Sequence, residues 1–266
     1  MSGDGSILRT DGLHKFFGGV HAVDDVSIEV TDGEILSIIG PNGAGKTTLF
    51  NLITGVHEAS RGSAEFLVDG DWKRVTGRPP HAIAELGLVR TWQNVRPFGA
   101  LTTRENVLAG LGHERYRSSS MFGRYDRETH EATADDLLER VGMDEYADTP
   151  ASSLPLALQR RLEIARALAL DPELLLLDEP AAGLNEEESE ELMTLLRDLV
   201  EEGLTIVLIE HAMDVVMNVS DRIYVLDQGS IIAEGPPIEI QNDERVVEAY
   251  FGESETAEIE GGVGDA

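Results

Sequence analysis

The chain is organised around the stretch Gly40-Pro41-Asn42-Gly43-Ala44-Gly45-Lys46-Thr47-Thr48. This stretch fits the pattern G-x-x-x-x-G-K-[ST], in which glycines let backbone N–H groups approach an anion closely. An apolar run at residues 35–39 comes before it, and an apolar-periodic segment at residues 49–52 comes after it. This order of strand, glycine-rich turn and helix is the context that a phosphate-binding P-loop requires.

Two side chains of this stretch have predicted roles in binding a nucleotide. Lys46 would reach the β- and γ-phosphates, and the hydroxyl of Thr47 would join the coordination shell of Mg²⁺. The dipole of the helix that follows also favours an anion at this end. An ordinary glycine-rich turn could carry the same letters, but the flanking strand and helix favour the nucleotide site.

Length and composition set the class of protein. The chain has 266 residues, 41% of them hydrophobic, and can bury a sizeable core as one large or two small domains. No apolar run approaches the roughly 18 residues of a membrane-spanning helix, and the first ten residues lack an export signal. The absence of cysteine excludes disulfides and cysteine metal sites. The cytoplasm is therefore the predicted compartment.

The charge of the chain is unusual. Its 50 acidic residues against 21 Lys and Arg residues give a formal net charge of −29, and only positions 15, 46 and 73 are lysine. Such a surface stays hydrated where salt screens charge to within a few ångströms. We predict adaptation to high intracellular salt, with an acidic protein of ordinary salt as the alternative. Because no basic stripe is visible, nucleic acid is not expected as a partner.

Periodicity along the chain predicts an α/β fold. Alternating segments within residues 7–30 and 55–76 indicate antiparallel strands, and residues 97–149 indicate helices with a solvated middle. After residue 153, helices alternate with apolar strands, as in a parallel sheet covered on both faces. We predict one domain over residues 1–252, with a helical subdomain at about 97–160, and an acidic, disordered tail at 253–266.

An apolar strand at residues 174–177 ends in Asp178 and Glu179. The carboxyl ends of parallel strands face the ligand crevice of an open α/β sheet. Asp178 could hold Mg²⁺ through water, and Glu179 could act as the general base on an attacking water. A purely structural pair of acids is the alternative, and the upstream glycine-rich stretch disfavours it.

These motifs, together with His211 at the end of another apolar strand, resemble those of an ATP-binding cassette (ABC) ATPase. The order of motifs extends over about residues 8–253. The resemblance implies a P-loop NTPase fold of the ABC type, with an antiparallel β subdomain and an inserted helical subdomain. It also implies that the chain binds and hydrolyses ATP with Mg²⁺.

Further roles follow from the resemblance. Phe17 would stack on adenine, although the neighbouring Phe16 could be the exposed ring instead. Gln93 matches the glutamine that touches Mg²⁺ and the attacking water, and His211 matches the histidine that senses the γ-phosphate. Asn185 stands where the family's D-loop commonly has aspartate.

The signature loop is where the sequence departs from the family pattern L-S-G-G-Q. The corresponding residues are Leu154, Pro155, Leu156, Ala157 and Leu158. Proline offers neither the hydroxyl nor the N–H of the usual serine. Ala157 replaces a glycine and would be strained if its φ were positive. Helix N–H groups could still face the phosphate of a partner subunit's ATP.

In the family, two cassettes pair head to tail, and each ATP lies between one P-loop and the opposite signature. The resemblance therefore implies a second ABC ATPase as partner. Because the signature is degenerate here, we predict a different cassette, with a homodimer as the alternative. It also implies transmembrane permease subunits, an external solute-binding protein and a place on the cytoplasmic face of the membrane.

Several segments resemble the ATPases of branched-chain amino acid importers, namely residues 17–24, 90–96, 159–166, 207–211 and 249–253. We predict import of such amino acids by a complex of haloarchaeal type. An exporter of the lipopolysaccharide type remains an alternative because its cassettes share this short architecture. A soluble ABC protein usually carries two cassettes or long coiled coils. A different P-loop enzyme, such as a kinase, would not explain Gln93, Glu179 and His211 together.

Overall fold

The computed structural model describes residues 5–91, 97–111 and 127–250. The elements of these residues follow in the order β1 (Ser6–Phe17), β2 (Val20–Val26), β3 (Glu29–Thr31), β4 (Ile35–Ile39), α1 (Lys46–Ile53), β5 (Arg61–Val68), β6 (Asp71–Arg74), α2 (Pro80–Ala84), β7 (Leu88–Arg90), α3 (Thr103–Leu111), α4 (Arg127–Arg140), α5 (Leu156–Leu168), β8 (Leu174–Asp178), α6 (Glu186–Glu201), β9 (Thr205–Ile209), α7 (Met213–Val219), β10 (Arg222–Asp227), β11 (Ser230–Gly235), α8 (Pro237–Gln241) and α9 (244–250).

The central sheet has the strand order β11-β10-β4-β9-β8-β7. Its strands are parallel except for β11, which pairs with β10 as an antiparallel hairpin. Along β8, Leu175 and Leu177 belong to one hydrophobic cluster, and Leu174 and Leu176 belong to another. Both faces of the sheet are therefore buried, which explains why β8 is an uninterrupted apolar run.

A second sheet is antiparallel and packs beside the first. Its order is β2-β1-β5-β6, and β3 pairs with β1. One hydrophobic cluster joins it to the central sheet, since Leu8 and Phe66 of this sheet share that cluster with Ile38 of β4. The β1–β2 hairpin lies at the edge of the central sheet at which β4 ends, since Ala22 of β2 packs against Gly45.

The helical part follows β7. Helices α3 and α4 pack on each other and on α5, and Val107, Leu138 and Leu162 extend the cluster that covers one face of the central sheet. Short 3₁₀ turns at Asp144–Tyr146 and Ala151–Ser153 lead into α5. The inserted helices are thus continuous with the core rather than a separate unit.

The predicted α/β alternation is confirmed. The helical spacing of residues 133–141 predicts a helix there, and helix α4 begins six residues earlier, at Arg127. Strand β7, helix α8 and helix α9 were not predicted, because each is short and has no periodic window. The predicted solvated middle of the helical part lies mostly outside the described residues, and the predicted disordered tail lies wholly outside them.

Candidate nucleotide site

Three neighbouring strands of the central sheet end at the same edge. Ile38 of β4 pairs with Ile209 of β9, and Ile209 pairs with Asp178 of β8. The residues that directly follow these strands are the glycine-rich loop (40–45), Glu210 with His211, and Glu179. The fold therefore brings the loop, Glu179 and His211 together with Asp178, the last residue of β8, as the sequence predicted.

The glycines of the loop are required by close backbone packing. A Cβ atom on Gly40, whose φ is +147°, would lie 1.9 Å from the carbonyl oxygen of Leu226. A Cβ on Gly45, whose φ is +105°, would lie 2.2 Å from the carbonyl oxygen of Ala22. No L-residue with a side chain fits either position without moving the backbone of β10 or β2.

A cavity of about 210 Å³ lies against the loop and α1. Its lining is formed by the loop, the first turn of α1, and three residues from elsewhere, Ala22, Glu179 and His211. Lys46 is buried, and its Nζ donates hydrogen bonds to the carbonyl oxygens of Gly40 (2.6 Å) and Pro41 (2.9 Å). A positive charge and the first N–H groups of a helix thus meet in one concave site, which suits a polyphosphate.

A larger cavity, of about 630 Å³, lies on the other side of the loop. It is lined by residues 41–44 together with residues of β10, β11 and α9. Neither Lys46 nor Glu179 nor His211 reaches it. Because the charged groups converge on the smaller cavity, the smaller one is the candidate nucleotide site.

Glu179 and His211 are in direct contact. His211 Nε2 lies 2.9 Å from Glu179 Oε1, and the histidine is the more exposed of the two side chains. Glu179 has a φ of +51°, which is uncommon for a residue other than glycine. Its N–H donates to the carbonyl oxygen of Ile209 at 2.9 Å. A residue with a strained backbone whose carboxylate lies beside a histidine is typical of functional sites.

Asp178 lies just before Glu179 and is almost fully buried. Its Oδ2 accepts a hydrogen bond of 2.6 Å from Arg90 Nη2, whereas its Oδ1 has no hydrogen-bond partner in the described residues. Burial lowers the pKa of the Arg90 guanidinium, and the hydrogen bond to Asp178 acts in the opposite direction. A buried carboxylate oxygen without a partner fits a Mg²⁺ shell, because Mg²⁺ takes few protein oxygens and retains waters and phosphates.

The described residues contain no group of three or more His, Cys, Asp and Glu side chains that could hold a metal ion by themselves. Thr47 is also a predicted Mg²⁺ ligand. It lies in the first turn of helix α1 and is exposed at the cavity. Gln93 lies outside the described residues.

Phe17 is the exposed member of the Phe16–Phe17 pair. The Phe17 side chain is 45% exposed, Lys15 Nζ lies 5.0 Å from its ring centre, and His57 meets the ring edge-on at 5.5 Å. Phe16 is half-buried and packs on His21 at 4.4 Å. An aromatic ring that is nearly half exposed at the tip of β1 is a suitable platform for a nucleobase.

Comparison with known proteins agrees with this site. A family model for ABC transporters matches residues 23–182. The chain belongs to the ABC transporter family. Membership of this family identifies it as an ATP-binding cassette ATPase. A second model, for branched-chain amino acid ATP-binding cassette transporters, matches residues 230–256.

Curated relatives of this ABC ATPase match over nearly their full length. The high-affinity branched-chain amino acid transport ATP-binding protein LivG of Salmonella typhimurium is 44% identical over 256 residues, covering 93% of this chain and 98% of LivG. The probable branched-chain amino acid transport ATP-binding protein LivG of Archaeoglobus fulgidus is 39% identical over 262 residues, covering 97% and 99%.

Solved ABC cassettes share the fold. The ADP conformation of MJ1267, an ATP-binding cassette of an ABC transporter, superposes with a TM-score of 0.82 at 34% identity, covering 93% of this chain and 99% of that one. A dimeric post-hydrolysis state of the cassette MJ0796, bound to ADP and Pi, gives 0.72 at 26% identity, covering 87% and 99%. The prediction of an ABC-type fold is therefore confirmed.

The signature segment of this ABC ATPase begins α5. Pro155 occupies the N-cap position, and within the described residues no side chain caps the first N–H groups of α5. Ala157 lies within α5 and its φ is not positive, so the glycine-to-alanine replacement causes no backbone strain here. Leu154 is buried and Leu158 packs against the core. The contact of residues 154–158 with a partner subunit's ATP stays a prediction.

The D-loop segment lies against the signature segment within the same chain. A Cβ on Gly183 would lie 3.0 Å from Leu156, and the buried Arg160 donates to the carbonyl oxygen of Ala182 at 3.1 Å. Asn185 forms a capping box with Glu188 at the start of α6. Its side-chain oxygen is therefore already engaged by a backbone N–H of its own chain.

Two residues of the site were not assigned roles from the sequence. Glu210 is buried, and its carboxylate accepts the N–H groups of Ala181 (2.7 Å) and His211 (3.1 Å). Burial raises the pKa of Glu210, although these N–H groups counteract the increase. The second is Arg90. Glu210 directly precedes His211, and Arg90 lies three residues before Gln93. Their closeness to these predicted motifs is the sequence feature that could have indicated a role for them.

Proposed function

We propose that this chain is the ATP-hydrolysing subunit of an importer of branched-chain or related amino acids. The observation that carries the solute class is the similarity to branched-chain amino acid transport ATP-binding proteins over more than nine-tenths of the chain. The match of residues 230–256 to the branched-chain cassette model supports it. No residue of the candidate site would touch the solute, so the solute class rests on the relatives.

In this proposal the phosphates of ATP lie against residues 40–48, and Lys46 leaves the carbonyl oxygens of its own loop for the β- and γ-phosphates. Phe17 carries the adenine ring. Glu179 takes a proton from the attacking water, and His211, already 2.9 Å from Glu179, orients that carboxylate and contacts the γ-phosphate. The residues act by positioning and charge, which dominate catalysis of phosphoryl transfer.

Thr47 and Asp178, together with Gln93, are the residues proposed to hold Mg²⁺. When bound, Mg²⁺ neutralises charge on the phosphates and orients them. Oδ1 of Asp178, which has no hydrogen-bond partner in the described residues, supports this assignment, because a buried polar atom without a hydrogen bond is unusual in a protein.

The functional unit in this proposal contains a second, different cassette, permease subunits in the membrane and an external solute-binding protein. Residues 1–252 form the cassette, with the helical subdomain at about 97–160. None of the helices in the described parts of the chain combines the length and apolar character needed to cross a membrane. We place the chain at the cytoplasmic face, held there by the permease.

The net charge of −29 supports a further part of the proposal, operation at high intracellular salt. At molar ionic strength the Debye length is about 3 Å, so repulsion among surface carboxylates is largely screened. At low salt the same repulsion destabilises the folded chain.

The test is an ATPase assay of the chain co-purified with its membrane partners and reconstituted in vesicles at molar KCl. We expect turnover to rise when the solute-binding protein is added together with leucine, isoleucine or valine. ATPase activity of the isolated chain that no membrane subunit alters would contradict the transport function. Stimulation without any solute-binding protein, by a lipid substrate, would favour export.

A further inference from the structure

Arg90 and Asp178 form a buried ion pair at the carboxyl ends of β7 and β8. The exposed fractions of their side chains are 5% and 3%, and Arg90 Nη2 lies 2.6 Å from Asp178 Oδ2. Removing two charges from water is costly, and a well-packed apolar pair often serves stability as well or better. The pair therefore calls for an explanation beyond the stability of the fold.

The Arg90 guanidinium also contacts helix α1. Its Nη1 donates to Asn51 Oδ1 at 2.7 Å and lies 3.5 Å from Thr54 Oγ1. The guanidinium also lies over the ring of Phe50, 5.3 Å from its centre. Because the fork of arginine is planar and rigid, these contacts fix its orientation relative to both α1 and β8.

Asn51 is four residues after Thr47 on α1, so the two side chains lie on the same face of that helix. Thr47 and Asp178 are the two described residues proposed above to hold Mg²⁺. Arg90 touches Asp178 directly and touches the helix of Thr47 through Asn51. A single guanidinium thus connects the two elements that carry the proposed metal ligands.

The hydrogen bonds of Asp178 show how this connection would work. Arg90 takes Oδ2, which prevents the carboxylate from rotating, and Oδ1 is left buried without a hydrogen-bond partner in the described residues. Oδ1 is then the atom available to the metal's water shell. Arg90 itself offers only donors and cannot be a ligand.

We infer that Arg90 is a positioning residue that sets the Mg²⁺ site of this ATPase by fixing Asp178 relative to α1. This inference rests on the proposed nucleotide site. It predicts that loss of Arg90 weakens the response of the nucleotide complex to Mg²⁺, while nucleotide binding without Mg²⁺, which depends on the loop and Phe17, persists.

The experiment is a titration of Mg²⁺ into the full chain with saturating ADP at molar KCl, with the thermal midpoint as readout. A parallel titration of ADP in EDTA measures Mg²⁺-free binding. For Arg90→Met we expect the half-saturating Mg²⁺ concentration to rise by about tenfold, as for other residues that orient a metal ligand. Asn51→Ala removes the shortest contact of Arg90 with α1 and keeps the ion pair with Asp178, so it should give a smaller rise in the same direction.

Arg140→Met is the matched control. Arg140 pairs with Glu202 at 2.6 Å through the same guanidinium chemistry, but at the surface, and it does not line the cavity against the loop. This variant should keep the Mg²⁺ response of the unaltered chain. If Arg90→Met does not fold, Arg90→Lys decides, because lysine keeps the charge and loses the fork that reaches Asp178 and Asn51 together.

The outcomes separate the inference from the proposed function. If the unaltered chain does not bind ADP in EDTA or with Mg²⁺, the nucleotide site itself is wrong. If it binds ADP and the Arg90 variant that folds shows an unchanged or stronger Mg²⁺ response, the role of Arg90 is overturned. A weakened Mg²⁺ response with retained Mg²⁺-free ADP binding supports it.

Discussion

The glycine-rich loop at residues 40–48 and the signature segment at residues 154–158 are both places where a turn leads into a helix. In the first, the backbone of β10 and β2 comes so close that only glycine fits at Gly40 and Gly45. In the second, α5 starts at a proline, with ordinary helical geometry at Ala157 and no capping side chain. Only in the first segment does close packing of the neighbouring backbone restrict which residues fit.

The two halves of the proposed composite site therefore differ in how tightly the surrounding backbone restricts their residues. The half that serves this chain's own nucleotide keeps the loop, Lys46, Asp178, Glu179 and His211 in one place. The half that would face the partner's nucleotide has the N–H groups of α5, but Pro155 supplies no hydroxyl where the family pattern has serine. The three predictions that follow alter one side at a time, in order of decreasing effect.

The largest effect is expected for Lys46→Ala. The positive charge at the phosphates is lost, so ATP turnover should fall by about 10²–10³-fold, as for removal of one preorganised donor. Lys73→Ala is the matched control, because Lys73 is an exposed lysine paired with Asp71. The measurement is steady-state ATPase at molar KCl. Equal turnover in the two variants would contradict the assignment of the loop.

An intermediate effect is expected for Phe17→Ala. Loss of the stacking platform should weaken ATP binding by about 1–3 kcal/mol, measured by titration with a fluorescent ATP analogue. Phe16→Ala is the comparison variant, since the half-buried Phe16 packs on His21 instead. A larger loss of affinity in Phe16→Ala than in Phe17→Ala would reverse the assignment.

The smallest effect is expected for the double change Pro155→Ser with Ala157→Gly. The serine restores a hydroxyl that can hydrogen-bond the γ-phosphate of the partner's ATP, and one such bond, worth about 1 kcal/mol in the transition state, corresponds to a rise in turnover of the assembled complex of up to about fivefold. The ATPase rate of the reconstituted complex is the measurement. Unchanged or slower turnover would show that the degenerate signature does not limit hydrolysis.

The sequence predicted those elements whose burial can be recognised from the pattern of apolar side chains in consecutive residues. The apolar run of β8 could be recognised because alternate leucines fill clusters on the two faces of the sheet. Strand β7 was missed because three residues carry no periodicity, and β7 pairs with β8, which lies more than eighty residues later in the chain.

The candidate site divides in the same way. Lys46, Asp178, Glu179 and His211 stand at predictable strand and helix ends. The link made by Arg90 could not be predicted, because Asn51 and Asp178 are 39 and 88 residues away in the chain. The choice between Phe16 and Phe17 likewise required the packing of the β1–β2 hairpin, which buries one ring and leaves the other open.

The most direct test of the account compares two assembled complexes, each with one catalytic carboxylate removed. In one complex this chain carries Glu179→Gln, and in the other the partner cassette carries the equivalent change. We predict that the second complex, in which only this chain's own loop can hydrolyse ATP, retains more of the ATPase rate. A higher rate in the complex with Glu179→Gln would contradict the claim that this chain's own site is the complete one.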